Sequence, residues 1–279
     1  MALTVIPIED YRQLVGETNE EKHMKFHFDW NVVEKDYSRS YKDILTYMSI
    51  TDVKMIGTGS GRTAFFLPAG DWKKDKTAPV CFKVAKNMKG VAQNKVEIDL
   101  FNKYGKQYSC FPEMFEYDRN NQYYLLTEVG RALRHGELNR YFKFWNEYVK
   151  DMLMNSDGTE PFYYFPEDVY GFETGNLDFM QRIYDICEGL NKKGKVKGWY
   201  ENKEEIVEDI ERISSQFPQY KTITDLIRFS IEGGWEKVRF DDFAMNDANW
   251  AMVVRNGTQY LLPIDFGFSD EIAKQFYTR

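Results

Sequence analysis

The segment "NWAMVVRNGTQYLLPIDFG", residues Asn249–Gly267, decides the fold class that this chain is expected to adopt. Two runs rich in apolar and β-branched residues flank Asn256-Gly257, a dipeptide that favours a two-residue β-hairpin turn. The hairpin would place Asn249 just before its first strand and Asp265 just after its second. Because neighbouring strands lie roughly 5 Å apart, the two side chains would lie close together at the open end. Amide and carboxylate oxygens suit Mg²⁺, so the sequence predicts a magnesium site there.

The composition predicts a folded chain. Of the 279 residues, 43% are hydrophobic and 16% aromatic, enough for one large domain or two lobes. The formal net charge of −7 argues against sequence-independent nucleic-acid binding. No apolar run approaches the roughly 18 residues of a membrane span, and the N-terminal residues lack the features of a signal peptide. Three widely spaced cysteines without a CxxC pair indicate reduced thiols, so we expect a cytoplasmic protein that binds neither membrane nor nucleic acid.

Between residues 50 and 130 the pattern predicts strand, strand, strand, helix, strand and strand. The first three strands lie in "VKMIG", "RTAFFLPAG" and "APVCFKVAK", and the helix lies in "VAQNKVEIDLFNKYG", closed by Gly105. The last two strands form a hairpin in "MFEYDRNNQYYLLTEVG", with its turn at Asn120-Asn121. A further helix is predicted near Ser38–Met48. This order predicts a curled antiparallel sheet.

From residue 131 onward the pattern becomes helical. Four segments have apolar residues at a period near 3.6: "LNRYFKFWNEYVKDMLM", "NLDFMQRIYDICEGLN", "NKEEIVEDIERISSQF" and "ITDLIRFSIEGG". The segment "DEIAKQFY" predicts a short helix after the hairpin. We therefore predict an α+β fold with an N-terminal extension at 1–50, a β-rich lobe at 51–130 and a mostly helical lobe at 131–279.

The predicted β-rich lobe carries residues that suit phosphate binding. Gly57, Gly59 and Gly61 lie between two strands in "IGTGSGRTAFFLP", and glycines let backbone N–H groups approach phosphate oxygens without obstruction by Cβ. Lys83 ends "VCFK" in the third predicted strand, and Glu97 lies in the amphipathic helix that follows. A lysine in a strand and a glutamate in a helix are commonly exposed surface residues. Lys83 and Glu97 therefore indicate phosphate binding only in combination with the other residues of the site.

The order of the glycine loop, Lys83, Glu97, Asp242, Asn249 and Asp265 resembles the protein-kinase-like superfamily over residues 50–270. More narrowly, "FKVAKNMKGVAQNKVEIDLFNKYG", "NWAMV" and "DFGFSDEIAKQFY" look similar to compact kinase-like proteins of tailed bacteriophages. The resemblance implies a two-lobed protein-kinase-like fold, truncated after the Asp-Phe-Gly motif. Its small antiparallel N-lobe and mostly helical C-lobe would hold ATP and Mg²⁺ between them. The implied reaction is phosphoryl transfer to a hydroxyl of a protein or a small molecule.

The resemblance also implies roles for individual residues. Lys83 would position nucleotide phosphates and Glu97 would hold Lys83, with Lys86 as the alternative lysine. Backbone groups at Glu128 and Val129, at the end of "YYLLTEV", would receive the adenine ring. Asn249 and Asp265 would bind Mg²⁺.

The catalytic carboxylate is expected in "RFDDFAMNDANWAMVV". Protein kinases separate this Asp from the metal-binding Asn by four residues, and a strand follows the Asn. Asn249 directly precedes the strand, so we favour Asp242 as the group that accepts or orients the substrate hydroxyl, with two extra residues in the loop. Asp247 is the second candidate, while the pair Asp241 and Asn246 has the usual spacing.

Several kinase features are absent from the sequence. No His-Arg-Asp motif precedes the hairpin, no third glycine follows at the usual offset, and no Ala-Pro-Glu motif follows the hairpin. These departures favour a compact kinase of the small-molecule or phage type over a regulated protein kinase. They also leave two alternatives: a degenerate pseudokinase that acts as a nucleotide- or protein-binding module, and transfer of AMP on the same fold.

Overall fold

The computed structural model describes residues 25–37, 39–72, 78–134, 140–143, 203–234 and 249–277, with residues 137, 145 and 147. The chain divides into two compact units. Unit 1 consists of Met1–Lys106, Pro112–Ala132 and Phe266–Arg279, and unit 2 consists of Gln107–Phe111 and Leu133–Asp265. The predicted division into an extension, a nucleotide-binding lobe and a catalytic lobe stays a prediction.

Unit 1 contains a five-stranded antiparallel sheet, which confirms the predicted order of β-rich segments. The strands are β1 Lys54–Thr58, β2 Arg62–Leu67, β3 Val80–Ala85, β4 Met114–Tyr117 and β5 Tyr124–Glu128. Their order in the sheet is β1-β2-β3-β5-β4. A two-residue strand, β6, follows at Arg131–Ala132. Because β3 is the central strand, every one of its residues is buried.

One face of this sheet is covered by the helices that precede it. They are α1 at Trp30–Val32, which continues as a π-helical turn at Val33–Tyr37, and α2 at Tyr41–Ile50. The indole of Trp30 meets the rings of Phe82 and Tyr124 edge to face, each with centroids 5.6 Å apart. The predicted helix near Ser38–Met48 is confirmed with shifted bounds, because the side chain of Ser40 caps α2.

Helix α3, Met88–Tyr104, packs against the opposite face of β3. Successive side chains of a strand point to opposite faces, so Phe82 enters the aromatic core while Lys83 points toward α3. The helix begins earlier than predicted because the Asn87 side chain accepts a hydrogen bond from the Gly90 N–H at 3.1 Å. It ends at Gly105, as predicted, where a Cβ would lie 2.5 Å from the Phe101 ring.

The β4–β5 hairpin turns where the sequence predicts it. The carboxylate of Asp118 accepts hydrogen bonds from the backbone N–H groups of Asn120, Asn121 and Tyr123 at 3.0–3.2 Å. One aspartate therefore satisfies three donors that the turn leaves without a strand partner.

Unit 2 combines helices with the hairpin that was predicted from Asn256-Gly257. Its elements are α4 Lys203–Gln216, a 3₁₀ turn Pro218–Tyr220, α5 Lys221–Phe229, a π-helical turn Ser230–Gly234, β7 Trp250–Arg255 and β8 Thr258–Pro263. The hydroxyl of Thr222 in α5 donates to the carbonyl oxygen of Leu261 at 2.6 Å, which fixes this helix against β8.

The remaining predicted elements have different outcomes. The short helix after the hairpin is present as α6, Asp270–Phe276, in unit 1. The predicted helix in "NLDFMQRIYDICEGLN" lies outside the described residues, as does most of the one in "LNRYFKFWNEYVKDMLM". Among the described residues, no helix has the length and apolar character needed to cross a membrane.

Candidate functional site

A buried cluster of three charges lies between the sheet and helix α3 of unit 1. The Nζ of Lys83 donates to Oε2 of Glu97 at 2.8 Å. The other oxygen of Glu97, Oε1, lies 2.7 Å from Nη1 of Arg62. The exposed fractions of Arg62, Lys83 and Glu97 are only 2%, 3% and 6%. The strand lysine and helix glutamate that the sequence singles out therefore meet, and an arginine from β2 joins them.

The two cations keep Glu97 ionised. Burial by itself would raise the pKa of this carboxyl group, because the charged form loses its hydration. The charge of Arg62, then that of Lys83, and the hydrogen bond from Lys83 outweigh burial and lower the pKa of Glu97 to about 2. At neutral pH the cluster consists of a carboxylate between an ammonium and a guanidinium group.

Lys86, the alternative lysine, lies elsewhere. Its Nζ is exposed and donates to Oγ1 of Thr58 at 3.2 Å and to the carbonyl oxygen of Gly59 at 3.0 Å. Lys83 and Lys86 therefore have separate positions, the first beside Glu97 and the second on the glycine loop. Of the two, only the buried one has the strand-to-helix ion pair that fixes a lysine as a point charge.

The glycine loop lies against the N-terminal end of α3. The carbonyl oxygen of Gly61 accepts from the Lys86 N–H at 2.7 Å, and that of Ser60 accepts from the Asn87 side chain at 2.9 Å. The contact is close, because a Cβ on Gly90 would lie 1.9 Å from the Gly61 carbonyl oxygen. The glycines at 61 and 90 thus allow the loop and the helix to touch through their backbones.

An apolar cluster occupies the part of the sheet where the adenine is expected. Ile56, Ala64 and Cys81 form its buried part, and Phe66 and Val129 pack against it. The side chains come from three adjacent strands and from the residue that follows β5, and they are of the apolar type that lines binding pockets for aromatic bases. Val129 thus contacts this apolar cluster through its side chain.

Glu128 has a different environment from Val129. Its backbone N–H donates to the carbonyl oxygen of Glu113 at 2.7 Å, and its side chain accepts from the Glu113 N–H at 3.2 Å. The backbone donor of Glu128 is therefore already used within unit 1. A ligand at this position would have to use other backbone groups of the segment.

In unit 2 the hairpin places the two predicted magnesium ligands at its open end. Trp250 pairs with Pro263, and the Ile264 N–H donates to the carbonyl oxygen of Asn249 at 2.8 Å. Asn249 therefore lies opposite Ile264, and Asp265 is the next residue. Asn249 is buried, whereas Asp265 is half-buried.

The donor set at this end of the hairpin fits a hard divalent cation. One amide oxygen and one carboxylate would supply two of six octahedral positions, and Mg²⁺ ordinarily keeps waters or phosphate oxygens in the rest. Zinc and other transition metals favour sites with histidine or cysteine. Over the part of the chain that the structure describes, no group of three or more His, Cys, Asp and Glu residues is placed to hold a metal. By donor type, the predicted pair suits Mg²⁺ better than zinc.

The candidates for the catalytic carboxylate, Asp241, Asp242 and Asp247, lie outside the described residues, as does Asn246. The choice of Asp242 stays a prediction.

Arg62 is the residue that the sequence reasoning did not assign. It occupies the position where a third loop glycine is usual, and it opens strand β2, whose last four residues are apolar. The signal was an arginine at the start of a mostly apolar strand, since arginine is almost never fully buried unless it has a charged partner.

Comparison with known proteins gives little beyond this geometry. No family model matches the chain, and no curated protein matches it either. Among solved structures, the ethanolamine kinase of Plasmodium vivax matches with 12% sequence identity, covering 92% of this chain and 71% of that one. The TM-score is 0.30, so this likeness defines neither the fold nor the activity of the chain.

Proposed function

We propose that this protein is an ATP- and Mg²⁺-dependent phosphotransferase that acts on a hydroxyl group of a protein or a small molecule. The observation that supports this most is the buried ion pair between Lys83 and Glu97, at 2.8 Å. Burying a lysine is costly unless a partner and hydrogen bonds compensate. A buried lysine with a fixed partner beside a glycine loop has the arrangement that phosphoryl transfer requires of its phosphate-binding lysine.

The residues of this chain would have the following roles in the reaction. Lys83 contacts nucleotide phosphates, and the cluster of Ile56, Ala64 and Cys81 receives the base. Asn249 and Asp265 hold Mg²⁺, which neutralises charge on the phosphates. Asp242 accepts or orients the acceptor hydroxyl. Most of the rate enhancement would come from positioning and from electrostatic stabilisation.

The test uses ATP labelled at the γ- or the α-phosphate, with Mg²⁺ and purified protein. Transfer of γ-label to the protein itself or to an added hydroxyl compound supports the proposal. Lys83→Met and Asp265→Asn should each reduce that transfer by roughly a hundredfold or more, because each removes a charge that acts on the phosphates. The exposed residues Lys95 and Asp99 provide matched controls as Lys95→Met and Asp99→Asn, which should behave as wild type.

A second function has one observation in its favour. The stretch Arg239-Phe240-Asp241-Asp242 stands where His-Arg-Asp is usual, which suits a pseudokinase that binds a nucleotide or a protein without turnover. Thermal stabilisation by ATP without transfer of either label would support this reading. Transfer of α-label would instead support AMP transfer. No stabilisation and no transfer with millimolar Mg²⁺ would exclude all three.

The position of the catalytic carboxylate needs its own comparison. Asp242→Asn should abolish transfer while leaving ATP-induced stabilisation in place. If Asp247→Asn abolishes transfer and Asp242→Asn does not, the proposed role moves to Asp247. By its resemblance to phage proteins, the enzyme would be phage-encoded and would act on a host component in the host cytoplasm. That part is tested by offering host extract as the acceptor.

A further inference from the structure

We propose that Arg62 is a positioning residue, which holds one oxygen of Glu97 so that helix α3 stays in place and the other oxygen can hold Lys83 toward a nucleotide phosphate. The phosphate step rests on the proposed function above. The part that concerns Arg62 and α3 does not, because it follows from contacts within unit 1.

The geometry gives each carboxylate oxygen of Glu97 its own cation. Arg62 lies 2.7 Å from Oε1, and Lys83 lies 2.8 Å from Oε2. Because each oxygen has a buried cation, Glu97 cannot withdraw from either one without leaving a buried charge unpaired, which is strongly unfavourable in a protein interior. Arg62 thus fixes one oxygen of Glu97 and leaves the other oxygen placed to hold Lys83.

Arg62 is itself fixed on several sides. The Oδ1 of Asn94 lies 3.5 Å from its Nη1, and the side chain of Asn94 is anchored by donating to the Gln122 carbonyl oxygen at 2.8 Å. A Cβ on Gly267 would lie 2.9 Å from Nη2 of Arg62. The guanidinium group thus lies between β2, α3 and the backbone of Gly267, and the absence of a side chain at 267 makes room for it.

The electrostatics of the cluster also support a role for Arg62 in fixing Glu97. Among the groups that hold the pKa of Glu97 below its ordinary range against burial, the charge of Arg62 has the largest effect and that of Lys83 the second. Arginine also suits this role better than lysine would. Its planar guanidinium is weakly hydrated and always charged, so it is the cation that tolerates permanent burial. Lysine has three donors on a compact ammonium, so Lys83 can keep its bond to Glu97 and still contact a phosphate.

The first test measures hydrogen exchange of the backbone amides of α3 without nucleotide, in Arg62→Met, Lys83→Met and the control Arg119→Met. Arg119 is an exposed residue in the β4–β5 turn. We expect exchange in α3 to accelerate about tenfold or more in Arg62→Met, and much less in Lys83→Met and the control. Equal acceleration in the Arg62 and Lys83 variants, or none in Arg62→Met, would overturn the proposal.

The second test separates positioning from a merely structural role. Arg62→Lys keeps the charge but loses the planar fork, so exchange in α3 should be intermediate between wild type and Arg62→Met. If Arg62→Met does not fold, this variant carries the comparison, and exchange no faster than in Lys83→Met would overturn the proposal.

The third test compares stabilisation by Mg²⁺-ATP with stabilisation by adenosine, which lacks phosphates. In Arg62→Met, Glu97 loses one of the two cations that fix it, so Lys83 is held less firmly toward a phosphate. We therefore expect ATP binding to weaken about tenfold while adenosine binding changes little. Equal losses for both ligands would mean that Arg62 does not act through Lys83. If wild-type protein binds no ATP, the proposed function fails, and the exchange measurement still decides whether Arg62 holds α3.

Discussion

The backbone N–H of Ile264 donates a hydrogen bond to the carbonyl oxygen of Asn249, at 2.8 Å. This bond lies one pair beyond the last paired residues of the β7–β8 hairpin, Trp250 and Pro263. It fixes Asn249 opposite the residue that precedes Asp265. The relative position of the two proposed magnesium ligands therefore depends on the hairpin register, and the register depends on the turn at the other end.

Gly257→Val tests that dependence. Gly257 has a φ of 79°, in the left-handed region that a β-branched residue strongly disfavours. No atom of the described residues lies within 4 Å of where a Cβ would be, so the cost is confined to the backbone. We expect a loss of about 1–2 kcal/mol in the free energy of unfolding, measured by urea denaturation, together with weaker binding of Mn²⁺ as a probe of the site.

Gly70→Val is the matched control for this variant. Gly70 also has a positive φ, 91°, and an open space around its Cβ position, but it lies in unit 1 away from the hairpin sequence. It should lose a similar amount of stability and keep wild-type affinity for Mn²⁺. Equal loss of Mn²⁺ affinity in both variants would contradict a link between the turn and the metal ligands.

The hairpin and the sheet were predictable because their determinants are local. Asn256 and Gly257 both adopt positive φ, 51° and 79°, which is what a two-residue turn of this kind needs. The start of α3 was misplaced because the cap is a side-chain contact. The bond from the Gly90 N–H to Asn87 outweighs the weak helix propensity of glycine in the first turn.

The role of Arg62 was not predictable from local pattern. Glu97 is 35 positions further along the chain, and no spacing rule connects the start of a strand with the middle of a later helix. The pair forms because the antiparallel sheet places Arg62 opposite Ala85, at the end of β3 from which the chain enters α3. Such a contact depends on tertiary packing, so a sequence pattern signals only that the arginine is unusual.

Glu97 should make the stability of the protein depend on pH in the acidic range. Its pKa is about 2 in the folded protein, against an ordinary value of 4.5. The folded state thus binds the proton less readily than the unfolded state. The resulting stabilisation is complete above the ordinary pKa and is lost as the pH falls from about 5 toward 2.

We therefore expect Glu97→Gln to be less stable than wild type at pH 6, and the difference to shrink by on the order of 2 kcal/mol at pH 3. Urea denaturation across this range measures both proteins. Glu113→Gln, at an exposed glutamate in the same unit, provides the control and should follow the wild-type curve. A difference between Glu97→Gln and wild type that stays constant with pH would contradict the proposed ionisation.

Gly61 and Gly90 should respond differently to the same substitution. A Cβ on Gly90 would lie 1.9 Å from a backbone oxygen, so Gly90→Ala forces the glycine loop away from α3. A Cβ on Gly61 would lie 2.2 Å from Oε1 of Gln93, the end of a flexible side chain that can move. We expect Gly90→Ala to cost about 1–3 kcal/mol and Gly61→Ala to cost less.

The double variant Gly61→Ala/Gln93→Ala completes this comparison in thermal unfolding. Removing the Gln93 amide should recover most of the stability lost in Gly61→Ala, because it removes the nearest clash. Gly90→Ala/Gln93→Ala should recover none. A rescue in the second pair but not the first would mean that the loop contacts the helix differently from the geometry described.

Cys81 offers a chemical measurement of the apolar cluster. Burial raises the pKa of its thiol, so at pH 7.5 the reactive thiolate is even scarcer than in a free cysteine, and little of the side chain is exposed. We expect iodoacetamide to label Cys81 far more slowly in the folded protein than in urea, as measured by mass spectrometry of the peptide that contains it.

If adenine binds against Ile56, Ala64 and Cys81, millimolar Mg²⁺-ATP should slow this labelling further. Among the described residues Cys110 is also a buried thiol; it lies in unit 2 and should be labelled at a rate that ATP does not change. Rapid labelling of Cys81 in the folded protein would contradict the packing of the cluster, and equal protection of both thiols by ATP would contradict the adenine position.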